Sequence, residues 1–465
     1  MHGDTRPGRP QGPFALSRRR FLATTVGGLG ITATLSPVTG ALPASGPVPS
    51  APPRPALLGG QPVRQAAFPG WPEWDDRDEQ AVTGVVRSGR WFRGNGRKVE
   101  EFEQAYARLV GAKYCVATAN GTSALLASLG GMEIGPGDEV LLPPYTFVAT
   151  LNVILDHYAL PVFVDSDLET FQIDATKVEA AITDRTAAMI PVHLGGGTAD
   201  LDTILEVGQR RKIRVIEDAC QSHLAEWRHR RVGTLGDTGC FSFQASKNLN
   251  SGEGGAILTN DPELAVRCYA WHNNGRARHV QGYDFRYQGG RAANLRLTEF
   301  QGALLLSQME RLEAQSRTRE TNAAHLTRLL NEIPGIHPAR MLPGCTRNAW
   351  HLYMFRYDPA AFAGLTRERF LDALRAEGIP ASPGYSPLNR EAFIQATLNS
   401  RGYRRIYPAD LLDQWADRNA CPENEKLCRT AVWFTQNMLL GEPSDMDQIA
   451  TAIRKIQHHA GALQA

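Results

Sequence analysis

Apolar residues Val99, Phe102, Tyr106, Leu109 and Val110 recur at helical spacing and predict a helix over 98–110, followed by a short strand at 114–117. Beyond it the pattern changes. Short apolar runs, EVLLPPY, LPVFVD, AAMIPVHL, IRVIEDA, GCFSFQA and GAILTN, are separated by helical stretches such as 175–182 and 201–211. Strands that alternate with helices predict an α/β fold with a mainly parallel sheet covered on both faces. A charged helical stretch over 308–330 then leads to a second unit, with a strand at HLYMFRY, a helix over 366–376 and a terminal helix over 446–456.

The length, 465 residues, exceeds what one hydrophobic core supports and agrees with two folded domains, expected at 71–310 and 311–465. Hydrophobic residues make up 42%, charged residues 21%, and the formal net charge is +2. The basic residues are scattered, which excludes a nucleic-acid footprint. Seven cysteines show no C-x-x-C pair and no zinc-like spacing, so no metal site is expected. Cys220 and Cys240, inside apolar segments, read as core residues.

The first residues differ from the rest. Ser17-Arg18-Arg19-Arg20-Phe21-Leu22 precedes a mildly apolar stretch and resembles a twin-arginine export signal, expected over 1–46. That stretch is too weakly apolar for a membrane span. The Pro- and Ala-rich segment 47–70 reads as a linker without a core. Export to an extracytoplasmic space follows, with the cytoplasm as the alternative.

Candidate chemistry enters at the strand ends, where open α/β sheets bind ligands. Asp218 follows Val215-Ile216-Glu217, and Lys247 follows Phe241-Ser242-Phe243 ahead of a glycine-rich turn. A lysine amine for a Schiff base and a carboxylate for a ring nitrogen are what pyridoxal phosphate requires. Gly121, Thr122 and Ser123 lie directly after a strand, at the start of a helix whose unpaired N–H groups suit a phosphate; a plain turn and helix cap is the other reading. Ser242 is either a further phosphate ligand or a strand hydroxyl. Gln221 lies within reach of a coenzyme bound at Asp218, and Tyr145 or Phe147 would stack on its ring. His193 and His272 are candidates for substrate contact or for structural hydrogen bonding.

The set GTSAL at 121–125, PPYTFVAT at 143–150, EDACQS at 217–222, FSFQASKNLNSGEGG at 241–255 and NLRLTEFQGALLLSQM at 294–309 closely resembles the DegT/StrS-type aminotransferase family. The resemblance implies fold type I: a large, mainly parallel, seven-stranded-type sheet domain between helices, and a smaller carboxyl-terminal α/β domain. It further implies a pyridoxal 5'-phosphate cofactor joined to Lys247, with Asp218 on the pyridine nitrogen, Gln221 near the ring oxygen and Phe147 on the ring. Thr122, Ser123 and Ser242 would take the phosphate. Asn294 would reach the phosphate of a neighbouring subunit, so a homodimer with shared active sites is implied.

Relatives with histidine at the Schiff-base position dehydrate their substrates, and Lys247 favours amino transfer. FQASKNL and HNNGRARH at 272–279 resemble the branch that aminates keto-cyclitols, with glutamine or glutamate as donor. In the substrate loop at 378–391, Tyr385, Pro387 and Leu388 match, whereas Asn389 stands where the family carries histidine. The alternatives are dehydration or epimerisation of a sugar on the same coenzyme, and a non-catalytic binding protein that keeps the fold.

Overall fold

The computed structural model describes residues 53–279, 282–287 and 290–464; the expected export signal lies outside them. Seven strands make the main sheet: β1 (Tyr114–Thr118), β2 (Glu139–Leu142), β3 (Leu160–Phe163), β4 (Thr186–Met189), β5 (Arg214–Asp218), β6 (Thr238–Ser242) and β7 (Gly255–Thr259). Their spatial order is β1-β7-β6-β5-β4-β2-β3. The pairings among β2 to β6 are parallel, and β7 runs antiparallel to both β1 and β6. The expected mainly parallel sheet is therefore present, and each apolar run named above supplies one of its strands.

Helices cover both faces because the strands are apolar on both sides. Helix α1 (Asp76–Ser88) is followed by α2 (Lys98–Val110), which buries Val99, Phe102, Tyr106 and Val110 against Phe241, Phe243 and Leu258 of the sheet. On the opposite face α3 (Gly121–Gly131) and α4 (Ala149–Asp156) bury Leu125, Leu151 and Ile154 against Val140 and Ile216. Helices α5 (Leu201–Arg211) and α6 (Pro262–His272) complete the layers.

The helix α7 (Glu299–Leu330) begins at a capping box made by Thr298 and Gln301 and runs through the expected boundary at 310/311. Its far half buries Ala323, Leu326 and Leu330 in a second core. That core also takes in a smaller antiparallel sheet, β8 (Ile336–Pro338), β9 (Leu352–Tyr357) and β10 (Ala431–Thr435), with α8 (Arg367–Ala376) and α9 (Pro443–His458). Residues in between do not belong to it. Ile394, Leu398, Tyr403, Tyr407 and Trp415 pack into the core of the large sheet instead.

One expectation needs correction. From residue 53 onward the segment read as an unpacked linker is packed: Leu57, Leu58, Val63 and Phe68 lie against the second core. Glu377, fully buried, accepts from the N–H groups of Ala56 and Val63 at 2.9 Å each and pairs with Lys455 at 2.9 Å. Arg64 donates to Asp445 at 2.5 Å and to Gln448 at 2.8 Å. The described part of the segment borrows the core and the buried carboxylate of distant sequence.

Candidate active site

A cavity of ≈ 730 Å³ opens at the carboxyl ends of the large-sheet strands, walled on its far side by residues of the smaller sheet. Six of the eight residues that the resemblance assigns to the coenzyme line it: Thr122, Phe147, Asp218, Gln221, Ser242 and Lys247.

The phosphate end is built by close packing. Asn120 caps α3, its Oδ1 accepting from the Ser123 N–H at 2.8 Å. Gly121 opens the helix where a Cβ would sit 2.8 Å from both Cys220 Sγ and Ser242 Cβ, so only glycine brings this helix end against the ends of β5 and β6. The first-turn N–H groups and the positive end of the helix dipole then face the site that Thr122 and Ser242 line.

At the end of β5, Asp218 is held from both sides. Thr150 Oγ1 donates to Oδ2 at 2.8 Å, and the Cys220 N–H donates to Oδ1 at 3.2 Å. Because the Thr150 proton is committed, its oxygen accepts from Thr146 Oγ1 at 3.1 Å. Neither threonine stood out in sequence; both belong to the PPYTFVAT run, and both line the cavity. Lys247 leaves a turn in which its N–H donates to the Gln244 carbonyl at 2.8 Å. Burial pushes its ammonium below the ordinary lysine range, while Cys220 and Asp218 pull the other way.

Phe147 is 57% exposed on the cavity wall, whereas Tyr145 is fully buried, edge-on to Tyr385 at 5.4 Å. Of the two aromatic candidates, only Phe147 offers a free face. Gln221 Oε1 accepts from the Gly195 N–H at 2.7 Å, and its Nε2 donates to the Tyr385 hydroxyl at 3.3 Å. Burial, partly offset by that hydrogen bond, pushes the Tyr385 phenol up to about 12.

Other candidates fall elsewhere. Ser123 is buried outside the cavity lining, and Asn294 is exposed, its backbone bridged to Asn273. His193 and His272 are fully buried and structural. His193 Nδ1 accepts from the Ala199 N–H at 3.1 Å, so Nε2 carries the proton and donates to Glu217 at 3.0 Å. His272 meets the Tyr269 carbonyl at 2.5 Å and Arg93 at 3.3 Å. Asn389 is buried too, donating to the Asn419 carbonyl at 3.1 Å and accepting from Asn424 at 3.2 Å. The histidine that does line the cavity is His351, beside Asn248 at 3.2 Å; burial, then the Lys247 charge, holds it well below the usual histidine range.

All seven cysteines are free, and among the described residues there is no cluster able to hold a metal and no helix long and apolar enough to cross a membrane.

A putative L-glutamine:3-amino-2,3-dideoxy-scyllo-inosose aminotransferase of Streptoalloteichus tenebrarius is 36% identical over 421 residues, 88% of this chain and 99% of that protein. An L-glutamine:2-deoxy-scyllo-inosose aminotransferase of the same organism is 38% identical over 428 residues, with the same shares. The crystal structure of 3-amino-5-hydroxybenzoic acid synthase superposes with a TM-score of 0.76 at 31% identity, over 86% of this chain and 100% of that one. The family pattern itself matches residues 72–405, and the chain belongs to the DegT/DnrJ/EryC1/StrS aminotransferase family.

Proposed function

We propose that this aminotransferase uses pyridoxal phosphate to move an amino group from glutamine to a keto-cyclitol. The observation that carries the reading is the enclosure of the Lys247 amine and the Asp218 carboxylate in one cavity beside the open face of Phe147. The donor set fits the coenzyme: an amine, an anion for the ring nitrogen, a flat apolar wall and a helix N-terminus for the phosphate. When bound, pyridoxal phosphate supplies the electron sink that makes the α-hydrogen of an amino acid acidic.

Lys247 would hold the coenzyme through its amine and, when that amine is free, would move a proton from the donor α-carbon. Its depressed basicity keeps more of the amine neutral and able to accept that proton. Asp218 holds a proton on the ring nitrogen, and the Thr150 hydroxyl keeps its carboxylate turned for that contact. A bound coenzyme would meet Phe147 on its ring face and Gln221 near its oxygen, with Thr122, Ser242 and the start of α3 at its phosphate; Ser123, expected there too, lies outside the cavity lining. Asn294 serves the phosphate of a second subunit in a homodimer, which its exposure outside its own cavity and the exposed Trp74, Trp91 and Phe92 support.

The substrates are inferred from the activities of the two relatives above, which align with this chain over nearly their whole length. The test is the visible spectrum of the purified protein before and after glutamine, with assay of the keto acid of glutamine. A coenzyme band that converts as keto acid appears supports the reading; a band unmoved by glutamine or glutamate rejects glutamine-type transfer. For location, we propose export through the twin-arginine route on the strength of residues 17–22. Replacing Arg18, Arg19 and Arg20 by lysine should retain the protein in the cytoplasm, and an unchanged distribution would refute export.

A further inference from the structure

The cavity, whose carboxylates are Asp218 and Glu253 among the described residues, is also lined by two residues that carry hydrogen-bond donors, Trp71 and Gln436. Arg319, on α7, is 0% exposed. Its Nε and Nη2 both donate to Gln436 Oε1, at 2.9 and 2.5 Å. Its Nη1 has no partner, and neither does the buried Nε1 of Trp71, over whose ring the Arg319 guanidinium sits at 5.2 Å. Among the described residues no carboxylate pairs with Arg319. Glu73 acts on it only through its field, and the Glu73 Oε2 is engaged by Gln315 Nε2 at 2.7 Å. Burial pushes the guanidinium down to about 9, the mark of a cation without compensation.

Arg319 fixes which way the Gln436 amide points. Turned over, the amide would set its NH₂ against the guanidinium N–H groups, so Oε1 must face Arg319 and Nε2 must face away. Gln436, 2% exposed, lines the cavity together with Trp71, His351 and Lys247, and its Nε2 has no partner among the described residues. A donor that faces the cavity in front of a buried, unpaired guanidinium favours an anion as its acceptor. Burial first, then the charges of Lys247, His223 and Arg319, depress the basicity of His351.

We propose that Gln436 Nε2, oriented and polarised by Arg319 and flanked by Trp71, binds the α-carboxylate of the amino donor. This rests on the amino-transfer reading above. A keto-cyclitol is uncharged, and the coenzyme phosphate has its own place at the start of α3, so the donor carboxylate is the anion left to meet these donors. Gln436 is the contacting group; Arg319 is a positioning residue that acts through it.

The two half-reactions separate the outcomes. In the Gln436→Glu holoenzyme a carboxylate replaces the donor amide, and the efficiency of the glutamine half-reaction should fall about 100-fold, chiefly through KM, while the keto-cyclitol half-reaction stays within about threefold. Arg319→Met should show the same split. If it fails to fold, Gln436→Leu gives the second measurement, with a smaller loss in the same half-reaction. Titration of the wild-type holoenzyme with glutarate, read by coenzyme absorbance, should saturate, and the Gln436→Glu protein should not respond. Unchanged glutamine efficiency in Gln436→Glu, or equal loss in both half-reactions, overturns the proposal. A wild-type enzyme that binds glutarate through Gln436 but never turns over glutamine would uphold the anion site and reject the donor named above.

Discussion

Thr150 gives its hydroxyl proton to Asp218 Oδ2 at 2.8 Å and receives one from Thr146 at 3.1 Å, so the carboxylate at the end of β5 is steered by a hydroxyl in the first turn of α4, itself held by one in the loop after β2. Replacing Thr150 by valine keeps the shape and removes one charge-assisted hydrogen bond. We expect kcat to fall by roughly 10- to 100-fold with the coenzyme still bound, whereas Asp218→Asn, which removes the charge itself, should cost about 10³-fold. Steady-state kinetics with the bound coenzyme measured in parallel decides it; equal losses in the two variants would mean that Thr150 does more than steer.

Lys247→Ala should abolish turnover and leave no covalent link to the coenzyme. Borohydride treatment followed by intact-mass measurement should add the coenzyme mass to the wild-type chain only. Coenzyme fixed in the variant would assign the amine to another lysine.

Gly121 is spaced for a hydrogen atom, since a Cβ there meets Cys220 Sγ and Ser242 Cβ at 2.8 Å each. Gly121→Ala should therefore push α3 away from β5 and β6, costing about 1–3 kcal/mol of stability and weakening coenzyme affinity. Denaturant midpoints and a coenzyme titration measure the two effects. Wild-type affinity in a destabilised variant would detach the packing from phosphate binding.

His223 is enclosed by Tyr106, Phe241 and Phe243, and burial takes its pKa down to about 3 from an ordinary 6.5. A depressed folded-state pKa means that the unfolded chain binds more protons below pH 6.5. Stability is thus full above that pH and declines toward pH 3, by up to about 1.4 kcal/mol per pH unit from this group. Melting temperatures should fall on that limb, and His223→Gln should flatten the slope while lowering the plateau. A parallel acid limb in the variant would assign the loss to other groups.

Glu377 accepts from two N–H groups of the amino-terminal segment and pairs with buried Lys455. Glu377→Ala strands that lysine and should cost about 3–5 kcal/mol, measured by denaturant unfolding. A change below 1 kcal/mol would mean that the segment at 53–70 is held by its apolar contacts and the Arg64 hydrogen bonds without help from Glu377.

Much was legible in the order of residues. Period-2 and period-3.6 patterns arise from the backbone itself, so the strands at 139–142, 214–218 and 238–242 and the helices at 98–110 and 201–211 lie where apolar spacing put them. That Asp218 and Lys247 would come to one cavity was legible because strand ends face the ligand in such sheets. Helix α1 was missed, although Asp75 and Asp78 form its capping box, since its few buried side chains give little periodic signal.

What sequence determined, then, was local: which segments become strands and helices, and which residue types stand at the strand ends. Tertiary structure alone decided which of Phe147 and Tyr145 faces the cavity, that His193 and Asn389 serve the interior, and that Arg319 meets Gln436 across 117 positions. It also decided that residues 53–70 are part of the fold. The reason is common to all of them: burial and hydrogen-bond pairing are properties of groups brought together by packing, and no spacing along a single chain encodes the partner that a side chain will meet.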